Sequence, residues 1–105
     1  MIPKIVIEDG AEKFALFETD DGSFFLRALC LPYHNRIMDK FEKDAWQHSL
    51  DVTDMGGAKF RVRDDAVVLY DFSAAWGYFP EKYKEQLIAL FKEAFPHKEI
   101  INNLD

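Results

Sequence analysis

The amino-acid sequence predicts an α/β (α+β) fold, with a single mixed β-sheet of about six strands flanked by two α-helices. Short runs that are β-branched or that alternate between apolar and polar residues recur along the chain, and such runs are typical of strands. Two longer segments place apolar residues three and four apart, as amphipathic helices do. Residues 1–105, of which 49% are hydrophobic, have the size and composition of one domain with its own core.

The first third of the chain predicts three strands. Residues 4–8 are rich in β-branched side chains. Residues 13–19 and 23–31 flank an Asp21-Gly22 pair, and an Asp-Gly pair between two apolar runs is a strong hairpin signal. Pro32 ends the third strand because it has no N–H group to contribute to a sheet.

The first helix is predicted from Asn35 to about His48. Its apolar residues recur at helical spacing, and charged residues fill the opposite face. The apolar positions are Ile37, Met38, Phe41, Ala45 and Trp46. Asn35 belongs to a residue type that often caps a helix N-terminus, so we expect it to be the N-cap.

The second half of the chain predicts three more strands and one helix. We interpret Gly56-Gly57 as a break, after which residues 59–63 alternate as a strand does. Residues 66–72 are an apolar run typical of a central strand. A second helix is predicted over residues 80–95, because its first residue is a proline and its apolar positions form one stripe. Residues 99–104 are expected to form an edge strand.

Charge and cysteine content restrict the function classes. The chain carries 13 Lys+Arg against 19 Asp+Glu, which argues against nucleic-acid binding because that function relies on basic residues to neutralise phosphates. Its single cysteine cannot form an internal disulfide, which suits a reducing compartment. The first residues lack a signal-peptide pattern, and no apolar run approaches the ~20 residues that span a bilayer. We therefore expect a soluble, cytoplasmic monomer that binds neither nucleic acid nor membrane.

Two segments are candidates for phosphate chemistry. His34 lies between a strand end and a helix start, where the helix dipole lowers the pKa of an imidazole and attracts anions. Ser73, Ala74 and Ala75 connect a buried strand to the second helix, and small residues let backbone N–H groups and the Ser73 hydroxyl turn toward a phosphate. The alternatives are a surface histidine in a turn and an ordinary strand–helix connection. No histidine pair has metal-ligand spacing, so no metal site is predicted.

A third pattern points to different chemistry. Cys30 and Arg36 reproduce the Cys-x5-Arg spacing of cysteine-dependent phosphatases, which need a loop of inward-facing N–H donors and a thiolate of low pKa. Pro32 removes one donor from this loop, and Cys30 falls in the apolar register of the third strand. We therefore interpret Cys30 as a core residue and rank this alternative last.

Three segments together resemble a known family. Residues 33–40 read Tyr-His-Asn-Arg-Ile-Met-Asp-Lys, and residues 70–77 read Tyr-Asp-Phe-Ser-Ala-Ala-Trp-Gly. They resemble Tyr-His-x-x-Ile-x-Asp-Lys and Tyr-x-Tyr-Ser-x-Ala-Tyr-Gly, two motifs of the Janus/Ocnus family of protein phosphohistidine phosphatases. Residues 9–16 are similar to the segment that carries this family's substrate-binding lysine. The order and approximate spacing agree from about residue 9 to residue 96.

The resemblance implies metal-independent hydrolysis of the P–N bond of phosphohistidine in a protein or peptide, without a cofactor. It implies that His34 is catalytic, as general base or nucleophile, that Lys13 binds substrate, and that residues 73–75 hold the phosphate. The family's Gly-Gly-Gly-Arg corresponds to Gly56-Gly57-Ala58-Lys59, so Lys59 becomes a further phosphate-binding candidate, without the bidentate fork of an arginine. The alternative is a non-catalytic module of the same fold that binds phosphate or a phosphopeptide.

Overall fold

The computed structural model, which describes residues 2–104, contains six strands, two α-helices and one 3-10 turn. The strands are β1 (Ile5–Ile7), β2 (Lys13–Thr19), β3 (Phe24–Ala28), β4 (Val52–Val62), β5 (Ala66–Asp71) and β6 (Glu99–Leu104). The helices are α1 (His34–Gln47) and α2 (Lys84–Ala94), and the 3-10 turn Glu81–Tyr83 leads directly into α2. The predicted fold class and the predicted order of elements are confirmed.

The six strands form one mixed sheet in the order β1-β3-β2-β4-β5-β6. The central pairs β3/β2, β2/β4 and β4/β5 are antiparallel, whereas the outer pairs β1/β3 and β5/β6 are parallel. The strand β6 therefore lies at an edge, as predicted. Among residues 2–104, neither helix is long and apolar enough to cross a membrane.

The two helices cover opposite faces of the sheet, because alternate residues of β2 belong to two separate apolar clusters. Phe14 and Leu16 pack in the cluster that includes the buried residues of α2, namely Leu87, Leu90 and Phe91. Ala15 and Phe17 pack in the cluster that includes the buried residues of α1, namely Ile37, Phe41 and Ala45. Side chains on a strand point alternately to its two faces, so Lys13 lies on the α1 face of β2.

The interpretation of Gly56-Gly57 as a break is wrong, because both residues lie inside β4 and pair with β2. A Cβ atom on Gly56 would lie 2.6 Å from Cδ of Pro80, and one on Gly57 would lie 2.7 Å from Cδ2 of His34. Large rings therefore pack directly on the backbone of β4 from both faces. Only residues without a side chain leave room for them.

The predicted helix starts are also corrected. The helix α1 begins at His34 and not after Asn35, and Tyr33 occupies the N-cap position without a side-chain hydrogen bond. The helix α2 begins at Lys84, because the residues after Pro80 first form the 3-10 turn. His34 is thus the first residue of the helix, whereas an N-cap at Asn35 would have left it just outside the helix.

Cys30 is exposed, so its interpretation as a core residue is wrong. The strand β3 ends at Ala28, and the alternation that places apolar residues inside does not extend to Cys30. Its thiol donates a hydrogen bond to the carbonyl oxygen of Asp9 at 3.3 Å. Trp46, predicted on the apolar stripe of the first helix, is likewise 76% exposed.

Candidate functional site

A cleft of about 490 Å³ lies where α1 begins and β5 ends, and it brings together most of the predicted site residues. Those that line it are Lys13, His34, Lys59, Ala74 and Ala75. A larger concavity of about 800 Å³, beside the C-terminal end of α2, is lined by none of the predicted site residues. The smaller cleft is the better candidate because it combines an imidazole with two ammonium groups.

One ring nitrogen of His34 forms a hydrogen bond with the backbone, and the other forms none with the described residues. Its side chain is buried, with 3% exposed, and Nε2 lies 2.9 Å from the carbonyl oxygen of Ala58. Since a carbonyl oxygen only accepts hydrogen bonds, Nε2 carries the hydrogen and donates it. No described residue forms a hydrogen bond with Nδ1. In the neutral ring Nδ1 therefore keeps a lone pair that can accept a proton or attack phosphorus.

The surroundings of His34 lower its pKa from the ordinary value of 6.5. Burial is the largest cause, because it penalises the charged ring, and the positive charge of Lys13 acts in the same direction. The backbone carbonyl oxygens of Ala58 and Phe14 favour the protonated ring and oppose this effect without reversing it. The imidazole is therefore neutral at pH 7, the form needed by a base or nucleophile.

Two contacts fix the position of the His34 ring. The ring of Trp76 packs against it, with 5.3 Å between ring centroids. On the side of the sheet, a Cβ atom on Gly57 would lie 2.7 Å from Cδ2 of His34 and 2.9 Å from the Trp76 ring, so both rings rest on the bare backbone of β4. The imidazole is thus held between the strand and an indole.

Lys13 and Lys59 lie directly opposite each other on β2 and β4, on the face of the sheet that α1 covers. Nζ of Lys59 forms an ion pair with Oδ2 of Asp71 at 3.1 Å. Among residues 2–104, no carboxylate forms an ion pair with Lys13. The cleft therefore has one ammonium group shared with a carboxylate and another available to an anion.

Ser73 builds the turn after β5 and does not line the cleft. Its side chain is buried, with 1% exposed, and its Oγ accepts the backbone N–H groups of Ala75 at 3.2 Å and Trp76 at 3.1 Å. The N–H of Ser73 donates to Gly77 and the N–H of Gly77 donates back, which closes the turn. Of the predicted phosphate-binding loop residues 73–75, the two exposed alanines line the cleft. No described residue accepts the N–H of Ala74.

Sequence reasoning assigned no role to three residues that line this cleft. Asp71 holds Lys59, while Tyr33 and Phe72 are aromatic residues with 64% and 45% of their surface exposed. All three lie within the two quoted motifs, beside residues with assigned roles. An aromatic residue next to a candidate catalytic histidine was an available signal, whereas no local pattern distinguishes Asp71.

No protein-family model matches this chain, and no curated protein matches it either. Within residues 2–104, no three His, Cys, Asp or Glu side chains come together as a set of metal ligands. The chemistry of the cleft is therefore inferred from its own residues. They combine a neutral imidazole with a free nitrogen, two ammonium groups and exposed aromatic rings.

Proposed function

We propose that the protein is a metal-independent phosphohistidine phosphatase that hydrolyses the P–N bond of a histidine-phosphorylated protein or peptide. The observation that carries the proposal is His34, a buried imidazole whose Nδ1 is free at a cleft with two lysines. The resemblance of residues 33–40 and 70–77 to the Janus/Ocnus motifs supports the same activity. A P–N bond to imidazole is labile, so less catalytic power is needed than for a phosphomonoester.

Two reaction courses fit a free Nδ1. In the first, Nδ1 of His34 takes a proton from water, the water oxygen bonds to phosphorus, and the P–N bond breaks as the substrate imidazole leaves and is protonated. In the second, Nδ1 itself bonds to phosphorus and displaces the substrate imidazole, and water then hydrolyses the phosphorylated His34. Both courses yield inorganic phosphate and a free histidine side chain.

The remaining residues of the cleft stabilise the charge on the phosphoryl oxygens. Phosphoryl transfer depends mainly on positioning and electrostatic stabilisation, which the ammonium groups of Lys13 and Lys59 and the N–H of Ala74 can supply. Tyr33 and Phe72 add exposed aromatic rings beside these groups. A planar imidazole packs well on such rings, which favours phosphohistidine over an aliphatic phosphoramidate.

One observation favours the alternative, a non-catalytic module that binds phosphate or a phosphopeptide. The hydroxyl of Ser73 and the N–H of Ala75 are bonded to each other within the turn, and neither is directed at a ligand. Such a cleft would retain the two lysines for binding an anion while lacking donors that catalysis uses.

The deciding experiment is phosphate release from a histidine-phosphorylated peptide in EDTA. We expect wild-type turnover, a loss of at least ~100-fold in His34→Ala because the base or nucleophile is removed, and full activity in the control His97→Ala, which changes an exposed turn residue. Circular dichroism would verify that each variant is folded.

Three results would contradict the proposal. Turnover that needs an added divalent metal would exclude the metal-independent course. Equal turnover in His34→Ala and wild type would exclude the role of the imidazole. Binding of the phosphopeptide without turnover, measured by calorimetry, would establish the non-catalytic module instead.

A cytoplasmic location is part of the proposal. Cys30 is exposed and the chain has no second cysteine with which it could pair, an arrangement suited to a reducing compartment. Fractionation of cells that express the protein would test this location, and recovery in a secreted or membrane fraction would contradict it.

A further inference from the structure

Asp71 places a negative charge in a cleft that otherwise suits an anion. It is the last residue of β5, it lines the cleft, and its Oδ2 lies 3.1 Å from Nζ of Lys59. Its backbone has a φ of 69°, in the left-handed region that aspartate tolerates better than most residues. A carboxylate at this position competes with any phosphoryl group for the ammonium of Lys59.

We propose that Asp71 is a positioning and charge-balancing residue that holds Lys59 in the cleft. Its carboxylate keeps the affinity of the cleft for inorganic phosphate low. The inference rests on the proposed function in one respect, namely that this cleft receives a phosphoryl group. The consequence is that inorganic phosphate, the product of hydrolysis, leaves readily, because the carboxylate of Asp71 re-forms its ion pair with the ammonium of Lys59.

The charges of the cleft support this role. His34 is neutral at pH 7, so the charged side chains that line the cleft are Lys13, Lys59 and Asp71. With Lys59 engaged by Asp71, Lys13 is the lysine of the cleft that has no carboxylate partner within residues 2–104. The net charge offered to a phosphate is therefore one positive unit and not two.

The exposure of the ion pair sets the size of the effect. About a third of the side chain of Lys59 and of Asp71 is exposed, so water and salt screen their attraction. Pairs of this kind change an equilibrium constant by at most about fivefold. The phosphoryl group can therefore displace the carboxylate, and Asp71 weakens binding without blocking the site.

The test is a titration of inorganic phosphate into the full chain at fixed ionic strength, followed by NMR chemical shifts. Asp71→Asn keeps the side-chain shape and tolerates the positive φ, and we expect it to tighten phosphate binding by about two- to fivefold. Asp71→Gly, which removes the charge and accepts this φ without a side chain, is expected to tighten binding to a similar degree. Asp64→Asn makes the same charge change at the far end of β5 and should leave binding unchanged.

A double-mutant cycle separates an action through Lys59 from a general charge effect. In a Lys59→Met background, Asp71→Asn should leave phosphate affinity nearly unchanged. Equal tightening with and without Lys59 would overturn the positioning role, and so would unchanged or weaker binding in a folded Asp71→Asn variant. Absence of phosphate binding in every variant would overturn the inference as well.

Turnover of a phosphohistidine peptide, measured in parallel, distinguishes the two proposals. If wild type hydrolyses the peptide while Asp71→Asn binds phosphate as wild type does, the inference fails and the phosphatase stands. If Asp71→Asn tightens phosphate binding through Lys59 but no variant shows turnover, the phosphatase fails and the inference stands.

Discussion

Strands β2 and β4 place like charges directly opposite each other near both ends of their pairing, and the neighbouring side chains of the two pairs differ. Lys13 faces Lys59 at one end, and Glu18 faces Asp54 at the other. Like charges in such cross-strand positions repel each other and destabilise the sheet. The alternation along β2 puts the basic pair on the face covered by α1 and the acidic pair on the face covered by α2.

Both members of the acidic pair are bonded to neighbouring side chains. The hydroxyl of Tyr83 lies 2.6 Å from Oε1 of Glu18 and 2.9 Å from Oδ2 of Asp54, and Nζ of Lys82 lies 3.0 Å from the same Asp54 oxygen. The hydrogen bond to Glu18, followed by burial and the bond to Asp54, raises the pKa of Tyr83 well above its ordinary value of 10.0. The phenol therefore keeps its proton at neutral pH and shares it with both carboxylates.

Only one member of the basic pair forms an ion pair with a neighbouring side chain. Asp71 engages Lys59, and among the described residues no carboxylate engages Lys13. The difference teaches how to separate structure from function among charged clusters: both carboxylates of the acidic pair accept a hydrogen bond from one phenol and so stabilise the fold, whereas Lys13 beside His34 has electrostatic attraction left for a ligand.

The largest expected effect comes from disturbing the packing behind the basic end. Gly57→Ala introduces a Cβ atom 2.7 Å from the His34 ring, which must then move, and a displacement of about 1 Å can lower turnover by about 100-fold. Gly56→Ala is the matched control, since its Cβ atom meets Pro80 and Phe79 on the opposite face. Turnover per folded molecule should fall in the first variant and persist in the second. Wild-type turnover in Gly57→Ala would contradict the need for this contact.

The next effect concerns the acidic end. Tyr83→Phe removes the proton shared by Glu18 and Asp54, and hydrogen bonds to charged groups predict a loss of about 2 kcal/mol in the free energy of unfolding. Urea denaturation measures this loss, and phosphate binding should not change. Tyr78→Phe, at an exposed tyrosine, is expected to leave stability unaltered. A Tyr83→Phe variant as stable as wild type would show that the acidic pair needs no phenol.

The smallest of the three effects concerns the free ammonium. Lys13→Met should weaken phosphate binding by about fivefold, the upper range for a partly exposed ion pair, without lowering stability, because it also removes a like-charge contact with Lys59. Lys92→Met, at an exposed position on α2, serves as the control. Unchanged affinity in Lys13→Met would remove this residue from the site.

Periodicity predicted most of the fold because it is a local signal. The bounds of β2 and β6 agree with prediction, since each strand is long enough to show its pattern and lies next to clear turn residues, which follow β2 and precede β6. The strand β4 was predicted only from residue 59 onward. The pair Gly56-Gly57 was interpreted as a break because the residues that require glycine there are distant in sequence. Two of these residues, His34 and Trp76, lie about twenty residues away along the chain.

The sequence predicted which segments meet at the cleft, but it did not predict the geometry of the cleft or all the residues that line it. The motifs selected His34, Lys13 and the loop after β5, and the fold brings these segments to one cleft. The direction of the Ser73 hydroxyl depends on a turn whose hydrogen bonds no spacing rule specifies. The pairing of Asp71 with Lys59 depends on strand register, which adjacent residues do not encode.

The contact between Trp76 and His34 also gives the protein an optical reporter. A protonated imidazole quenches the fluorescence of a neighbouring indole, and the two ring centroids are 5.3 Å apart. The other indole, Trp46, is 76% exposed, so Trp46→Phe would leave Trp76, beside the His34 ring, as the remaining indole emitter. Since the pKa of His34 is lowered, we expect Trp76 emission to fall on acidification with a midpoint below pH 6.5. Emission that does not change with pH would contradict this contact, and a response to phosphate would follow binding in real time.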